Sequence, residues 1–243
     1  NGFLVALLVG TILLMLPVSS ASGNGTDFIT ALFTATTSLC VTGLVVVPTY
    51  AYWSIFGKVI ILILIQLGGL GIISFTIGFL IIIGKKISLK ERKMIQESYN
   101  LDSAQGVLKI LRKIFGITVK IEGIGAILYS IQFIPEYGIV KGICYSVFHS
   151  VSAFCNAGID IIGNDSFVKY HGNVLVNFTT VMLIICGGIG FIVWLDIGGI
   201  ISEIRNKKLR PNKFIERMKL HTKLVLITTA ILVGGGFLFI LLF

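Results

Sequence analysis

Residues 33–44 read FTATTSLCVTGL, and a related stretch, FHSVSAFCNAGI, occupies residues 148–159. A single offset of 115 residues, the difference between positions 33 and 148, aligns a phenylalanine, a cysteine and a glycine in both stretches. The aligned glycines are Gly43 and Gly158. Identities in the same order at one spacing indicate two copies of one structural unit.

A second pair of motifs lies downstream, LGGLG at residues 67–71 and CGGIG at residues 186–190. Each motif lies in the long apolar run that follows its glycine loop. The repeated unit is therefore a spanning segment, a short helix, a glycine loop and a second spanning segment. Glycine in membrane helices usually marks close packing, so we interpret both motifs as packing or bending sites, with gating as the alternative.

The composition is that of a membrane protein. Hydrophobic residues make up 55% of the chain and charged residues 13%, and the mean hydropathy is +0.97. Soluble domains carry about 25% charged residues. Several runs also exceed the roughly 18 apolar residues that a transmembrane helix requires. We therefore predict a polytopic membrane protein.

The basic residues are concentrated in two segments. The formal net charge is +9, and eight of the 20 basic residues lie at 85–113 and seven more at 205–219. This pattern is typical of cytoplasmic connections under the positive-inside rule. It predicts a multi-pass protein of the cell membrane with both basic segments in the cytoplasm, and it does not favour nucleic-acid binding.

The two basic segments divide the chain. The second spanning segments are predicted at residues 53–84 and 174–201. The predicted units are 1–84 (first pore repeat), 85–113 (basic cytoplasmic segment), 114–204 (second pore repeat), 205–223 (basic cytoplasmic loop) and 224–243 (first helix of a third repeat). With both basic segments on one side, each short helix enters and leaves from the other side, and the repeats are parallel. The predicted fold is an all-α membrane protein in which repeats of transmembrane helix, pore helix, filter loop and transmembrane helix surround a central pore, as in potassium channels.

The re-entrant loops are the predicted ion site. The apolar segment that Asp27 is placed to cap is too short to span a bilayer before its glycine. Backbone carbonyls can replace the water shell of an ion, and irregular backbone at membrane depth is tolerated where it lines a cavity. Glycine permits backbone angles that other residues avoid. The predicted filter residues are Cys40, Val41, Thr42, Gly43, Cys155, Asn156, Ala157 and Gly158.

Polar side chains near the loops are predicted to support them. The hydroxyls of Thr37, Thr42 and Ser152 and the amide of Asn156 are placed to brace the backbone or add oxygen ligands. Neither loop carries a carboxylate at its centre, which disfavours a divalent-cation filter and favours a monovalent one.

With these motifs the chain resembles the Trk/Ktr/HKT superfamily of potassium transporters, and in particular the bacterial Ktr/Trk membrane subunit. The residues that carry the resemblance are TSLCVTGL and SAFCNAGI, each followed by a long spanning segment. The resemblance implies four units around one pore, with Gly43 and Gly158 as the first two filter glycines. It implies K⁺ as the transported ion, because a sodium-preferring branch has serine in place of the first glycine. Na⁺ as a coupling or permeant ion stays open.

The resemblance also bears on completeness and partners. Only two units and the first helix of a third are present, so we expect the chain to be the N-terminal part of a longer protein. The family implies a cytosolic ring of nucleotide-binding regulatory subunits. We also expect full-length chains to form a homodimer within the lipid bilayer. The amphipathic basic stretch at 88–115 is interpreted as lying along the inner membrane surface or docking such a partner.

Several polar residues in apolar segments invite interpretation. Glu122 and Asp196 are expected to form a structural pair with Lys120, or alternatively an ion-attracting inner vestibule. His149 is expected to be a packed, hydrogen-bonded histidine rather than a proton switch. The four cysteines match no zinc or redox spacing, so no cofactor is expected in this chain.

Two other classes of function are alternatives to ion transport. A membrane scaffold would use the same repeats only to pack against partners, and it would not conduct ions. An intramembrane enzyme would need a reactive constellation. The sequence has no paired carboxylates, no Ser/His arrangement and no HExxH motif, so we expect no enzymatic activity.

Overall fold

The computed structural model describes residues 2–71, 107–163, 165–207 and 210–242. Within these ranges the regular structure consists of α-helices and short 3-10 turns, without a β-strand. The predicted all-α class is confirmed. The basic residues at 85–106 and most of the amphipathic stretch at 88–115 lie outside the described residues.

The first repeat has three longer helices, none of which, as described, reaches 18 residues, about the length that a membrane span requires. Its helices are α1 (Gly2–Met15), α2 (Phe28–Leu39), the single turn α3 (Thr49–Tyr52) and α4 (Ile55–Gly69). The 12 residues of α2 extend over about 18 Å, against about 30 Å of bilayer hydrocarbon. Asp27 caps α2, as predicted, by accepting the backbone N–H of Thr30 at 2.9 Å. Helix α2 is therefore too short to cross that layer.

The second repeat has the same order of elements. Its helices are α5 (Val107–Tyr137), α6 (Ile139–Phe154), α7 (Val174–Gly188) and α8 (Phe191–Arg205). The short helix α6 has 16 residues and corresponds to α2. Helix α5 is long and apolar enough to cross a membrane by itself, over Ile110–Tyr137.

The second spanning segment of this repeat is not one straight helix. Helices α7 and α8 meet at 95°, so the predicted spanner over 174–201 is broken into two helices. The turn occurs at Gly190, whose φ of +86° is a left-handed conformation that favours glycine. In the first repeat Gly71, at the matching position of its motif, also has a positive φ, of +77°. The rest of the predicted run to residue 84 lies outside the described residues.

The last helices follow the second basic loop. They are the single turn α9 (Phe214–Arg217) and the 23-residue α10 (Leu220–Leu242), which is long and apolar enough to span. Helix α10 lies where the first helix of a third repeat is expected. The division of the chain into pore repeats stays a prediction.

The sequence repeat is also a repeat of packing contacts. In the first repeat α1 packs against α4 so closely that a Cβ on Gly10 would lie 2.9 Å from Leu64 Cδ1. In the second repeat a Cβ on Gly125 would lie 2.7 Å from Leu183 Cδ1. Each unit therefore joins its first helix to the helix that follows its glycine loop, α4 or α7, through a glycine opposite a leucine. The two units meet where α4 contacts α6.

Candidate functional site

The two glycine loops begin at the carboxyl ends of α2 and α6. Beyond these ends the backbone takes left-handed angles at matching positions. Val41 has φ +53° and Asn156 +59°, and two residues later Gly43 has +77° and Gly158 +67°. Positive φ is uncommon for non-glycine residues and rarer still for a β-branched one such as Val41. The loops therefore share one conformation that their sequences alone would not both favour.

Matching backbone hydrogen bonds close each loop onto its helix. In the first loop the N–H of Thr42 donates to the carbonyl of Thr37 at 3.0 Å. In the second loop the N–H of Ala157 donates to the carbonyl of Ser152 at 2.8 Å. The backbone turns away from the helix at the same point in both repeats.

A side-chain hydroxyl braces each loop, with opposite hydrogen-bond polarity. Thr37 Oγ1 accepts the backbone N–H of Leu44 at 3.0 Å. Ser152 Oγ instead donates to the carbonyl of Ile159 at 2.6 Å. The same pair of positions is thus bonded in both repeats. In the first loop Thr37 Oγ1 also shares a hydrogen bond with Thr42 Oγ1 at 2.6 Å.

The filter glycines of the two loops face each other. A Cβ built on Gly43 would lie 2.6 Å from the carbonyl oxygen of Ala157 and 3.5 Å from the Cα of Gly158. A Cβ on Gly158 would meet only the Cα of Gly43, at 3.8 Å. The close approach of the two backbones therefore depends on the missing side chain at Gly43 more than on that at Gly158.

The remaining filter residues differ in exposure between the loops. Cys40 and Thr42 are exposed, whereas their counterparts Cys155 and Ala157 are buried. Cys155 packs against Gly69 of α4, where any side chain would overlap its sulfur and Cβ atoms. This contact holds the second loop against α4 of the first repeat.

The first glycine of each downstream motif packs against the end of the pore helix of its repeat. Any Cβ on Gly68 would overlap the carbonyl oxygen of Leu39, the last residue of α2. Any Cβ on Gly187 would overlap the carbonyl oxygen of Phe154, the last residue of α6. These glycines have the predicted packing role, and the third glycine of the motif makes the bend described above.

Behind the second loop lies a polar cluster that joins the repeats, formed by Gln66, Glu122, Ser150 and Cys155. Glu122 Oε1 accepts Gln66 Nε2–H at 2.9 Å, and Cys155 Sγ contacts Gln66 Oε1 at 3.5 Å. Ser150 Oγ donates to the backbone carbonyl of Glu122 at 2.6 Å. Glu122 is 9% exposed. One amide therefore connects α4 of the first repeat to both α5 and the filter loop of the second.

The expected pairing of Glu122 with Asp196 is wrong. Asp196 Oδ2 accepts the backbone N–H of Lys219 at 3.0 Å and Thr222 Oγ1–H at 2.7 Å. It thereby fastens α8 to the start of α10. The charge of Glu122 suggested an ionisable partner and did not indicate that the neutral amide of Gln66 would be its partner. The signal available was that Gln66 is an amide within the apolar stretch of α4.

Truncating Glu122 should destabilise the protein through Gln66. In Glu122→Ala the half-buried Gln66 amide loses its acceptor, which costs about 1 kcal/mol. Glu122→Gln keeps a carbonyl oxygen at the same place and should retain most of the stability. Thermal unfolding of the whole purified protein measures the difference. Equal melting temperatures for Glu122→Ala and the wild type would contradict this role.

His149 occupies a closed environment. Its Nδ1 lies 2.6 Å from the carbonyl of Tyr145 and its Nε2 lies 3.2 Å from the backbone N of Ile161. A carbonyl requires a donor and an N–H requires an acceptor, so the ring is neutral with its proton on Nδ1. His149 is 2% exposed. The structure thus gives it the packed, hydrogen-bonded role expected from the sequence.

The arrangement supplies oxygen ligands from the backbone. Cys40 to Gly43 and Cys155 to Gly158 follow re-entrant helices, and the glycines of the two loops lie in contact. Within the described ranges no three His, Cys, Asp or Glu side chains come together as a metal site. Carbonyl and hydroxyl oxygens of the kind that these loops carry suit a weakly held monovalent cation.

Comparison with known proteins identifies the family of the chain. The profile of the TrkH family, described as a cation transport protein, matches residues 4–243. The chain is 44% identical over 241 residues to the potassium/sodium uptake protein NtpJ of Enterococcus hirae, covering 99% of this chain and 51% of that protein.

Two Ktr proteins are also similar. The chain is 39% identical to Ktr system potassium uptake protein B of Bacillus subtilis, covering 95% of this chain and 48% of that protein. Identity to the protein of the same name from Vibrio alginolyticus is 36%, with 96% and 49% covered. The chain spans about half the length of the curated relatives it matches.

Proposed function

The chain belongs to the TrkH family of cation transport proteins, and from that premise we propose that the whole protein moves K⁺ across a membrane. Its ion path is a filter of backbone carbonyls, to which this chain contributes residues 40–43 and 155–158. The observation that carries the proposal is the contact between Gly43 and Gly158, two left-handed glycines at matching positions of re-entrant loops.

The chemistry of the loops supports a large monovalent cation. Their centres offer neutral oxygens and no carboxylate, so binding stays weak enough for release. The names of the Ktr relatives refer to potassium uptake, and that of NtpJ to potassium and sodium. K⁺ is therefore the favoured ion, and Na⁺ as a second permeant or coupling ion is the alternative.

The surroundings of the pore follow from the same proposal. The protein is placed in the cell membrane as a multi-pass protein with its basic segments in the cytoplasm. Its regulatory partner is a ring of nucleotide-binding subunits on that side, and full-length chains associate as a homodimer. The concentration of basic residues at 85–113 and 205–219 supports the orientation.

Flux from liposomes tests the function. The whole protein, purified and reconstituted, should accelerate K⁺ movement above protein-free vesicles and should move Na⁺ more slowly. The driving force is a K⁺ gradient, and the readout is an ion-sensitive dye inside the vesicles. Absence of flux with or without an added regulatory ring would favour the scaffold alternative. Equal rates for both ions would favour the mixed transporter.

A further inference from the structure

A groove between the two repeats is separate from the filter. It has a volume of about 680 Å³ and lies between α4 and α6. Its walls are apolar side chains of both helices, among them Val59, Leu62, Val147 and Phe148. Val59, Leu62 and Val147 are at least partly exposed. In a membrane this surface faces acyl chains unless another protein covers it.

Two lysines line the groove near the starts of its two helices. Lys58 and Lys141 both line it, and each lies within four residues of the start of its helix, at Ile55 and Ile139. Lys58 Nζ donates to the carbonyl of Tyr50 at 2.7 Å, which leaves two of its protons for another acceptor. No carboxylate is among the described side chains that line the groove. Its polar end is therefore positive, and its deeper part is apolar.

We propose that the groove binds an anionic phospholipid. The phosphate contacts the ammonium groups of Lys58 and Lys141, and an acyl chain lies along Leu62 and Phe148. The two lysines share the side from which α6 enters, so they lie near the membrane surface, where phosphates are found, and the apolar wall extends toward the bilayer centre. Charge complementarity selects an anionic lipid over a zwitterionic one. The site concerns the contact between repeats and does not depend on which ion the protein carries.

Lipid retention tests the proposal. The whole protein is placed in nanodiscs of phosphatidylcholine with phosphatidylglycerol and is then analysed by native mass spectrometry. Each lysine near a phosphate contributes about fivefold in affinity, so the double variant Lys58→Gln/Lys141→Gln should bind phosphatidylglycerol about 25-fold more weakly. The double variant with arginine at both positions should retain it. Lys169→Gln is the matched control, since Lys169 lies on the same side, pairs with Glu136 and is outside the groove.

A second readout reports from the groove itself. Cys144 is exposed and lines it, so its alkylation can be followed by peptide mapping. Phosphatidylglycerol should slow the modification of Cys144 in the wild type and not in the glutamine double variant. Unchanged phosphatidylglycerol retention in that variant would overturn the proposal. So would equal protection of Cys144 in phosphatidylcholine alone, which would show that a second copy or another part of the whole protein covers the groove.

Discussion

Gly43→Ser is expected to lower the preference of the whole protein for K⁺ over Na⁺ by about tenfold or more. Serine at this position must hold φ near +77°, which costs an L-residue about 1–2 kcal/mol. Its Cβ would also lie 2.6 Å from the carbonyl oxygen of Ala157, so that carbonyl must move. A change of about 1.4 kcal/mol in the relative binding free energy of two ions corresponds to tenfold. The ratio of K⁺ to Na⁺ flux into liposomes measures it.

Substitutions at two other glycines distinguish the effect of backbone strain from that of the close contact with Ala157. Gly158→Ser meets the same backbone strain but only an ordinary contact at 3.8 Å, so its effect on selectivity should be smaller. Gly23→Ser has φ +73° and no neighbour within 4 Å of its Cβ, and it should leave selectivity unchanged. The filter assignment fails if Gly43→Ser and Gly158→Ser both keep the wild-type ratio. It also fails if Gly23→Ser changes the ratio as much as Gly43→Ser does.

The repeat and the unusual glycines could be predicted from the sequence because both are local. An internal match at one offset needs no structure to be seen, and a glycine after a short apolar helix has few other roles. Asp27 could be identified as a cap for the same reason, since capping joins residues three apart. Gly43 and Gly158 have the positive φ that their role in the loops requires.

The sequence could not predict the angle between successive helices, nor hydrogen bonds between residues that are far apart in the chain. Residues 174–201 are mostly apolar, and such a composition is the same for a straight helix and for two helices at 95°. Only the angle at Gly190 distinguishes them. Glu122 likewise finds Gln66, 56 residues away and in the other repeat. A search for opposite charges misses a carboxylate whose partner is an amide.

The opposite polarity of the loop braces has a similar origin. Thr37 accepts a hydrogen bond from residue 44, whereas Ser152 donates one to residue 159. A hydroxyl can donate or accept a hydrogen bond. The sequence therefore shows that a hydroxyl is available to brace the loop, but not whether it donates or accepts. The two loops are consequently equivalent in position and different in detail, and a filter built from them is not symmetric.

The pore helices depend on a contact that only glycine allows. Gly187 of α7 lies against the carbonyl oxygen of Phe154, directly before Cys155 of the filter. Gly68 makes the same contact with Leu39 in the first repeat. A side chain at Gly187 would therefore move the end of α6 and the loop that follows it.

Gly187→Ala is accordingly expected to destabilise the whole protein and to disturb transport together. Alanine normally favours a helix over glycine by about 1 kcal/mol, so a loss of stability at this position must come from the overlap. Overpacking of this kind costs about 1–3 kcal/mol. Thermal unfolding in detergent and K⁺ flux in liposomes should both fall.

Gly188→Ala is the matched control, because the next residue of the same helix has nothing within 4 Å of its Cβ. It should be as stable as the wild type or slightly more so, with unchanged flux. In the first repeat Gly69 cannot serve as the matching control for Gly68, because a Cβ on Gly69 would overlap Cys155. If Gly187→Ala unfolds at the same temperature as Gly188→Ala and transports equally well, then α6 is not positioned by this contact. The filter loop would then have to be held by its other contacts, among them the Gln66 and Glu122 cluster and the packing of Cys155 against Gly69.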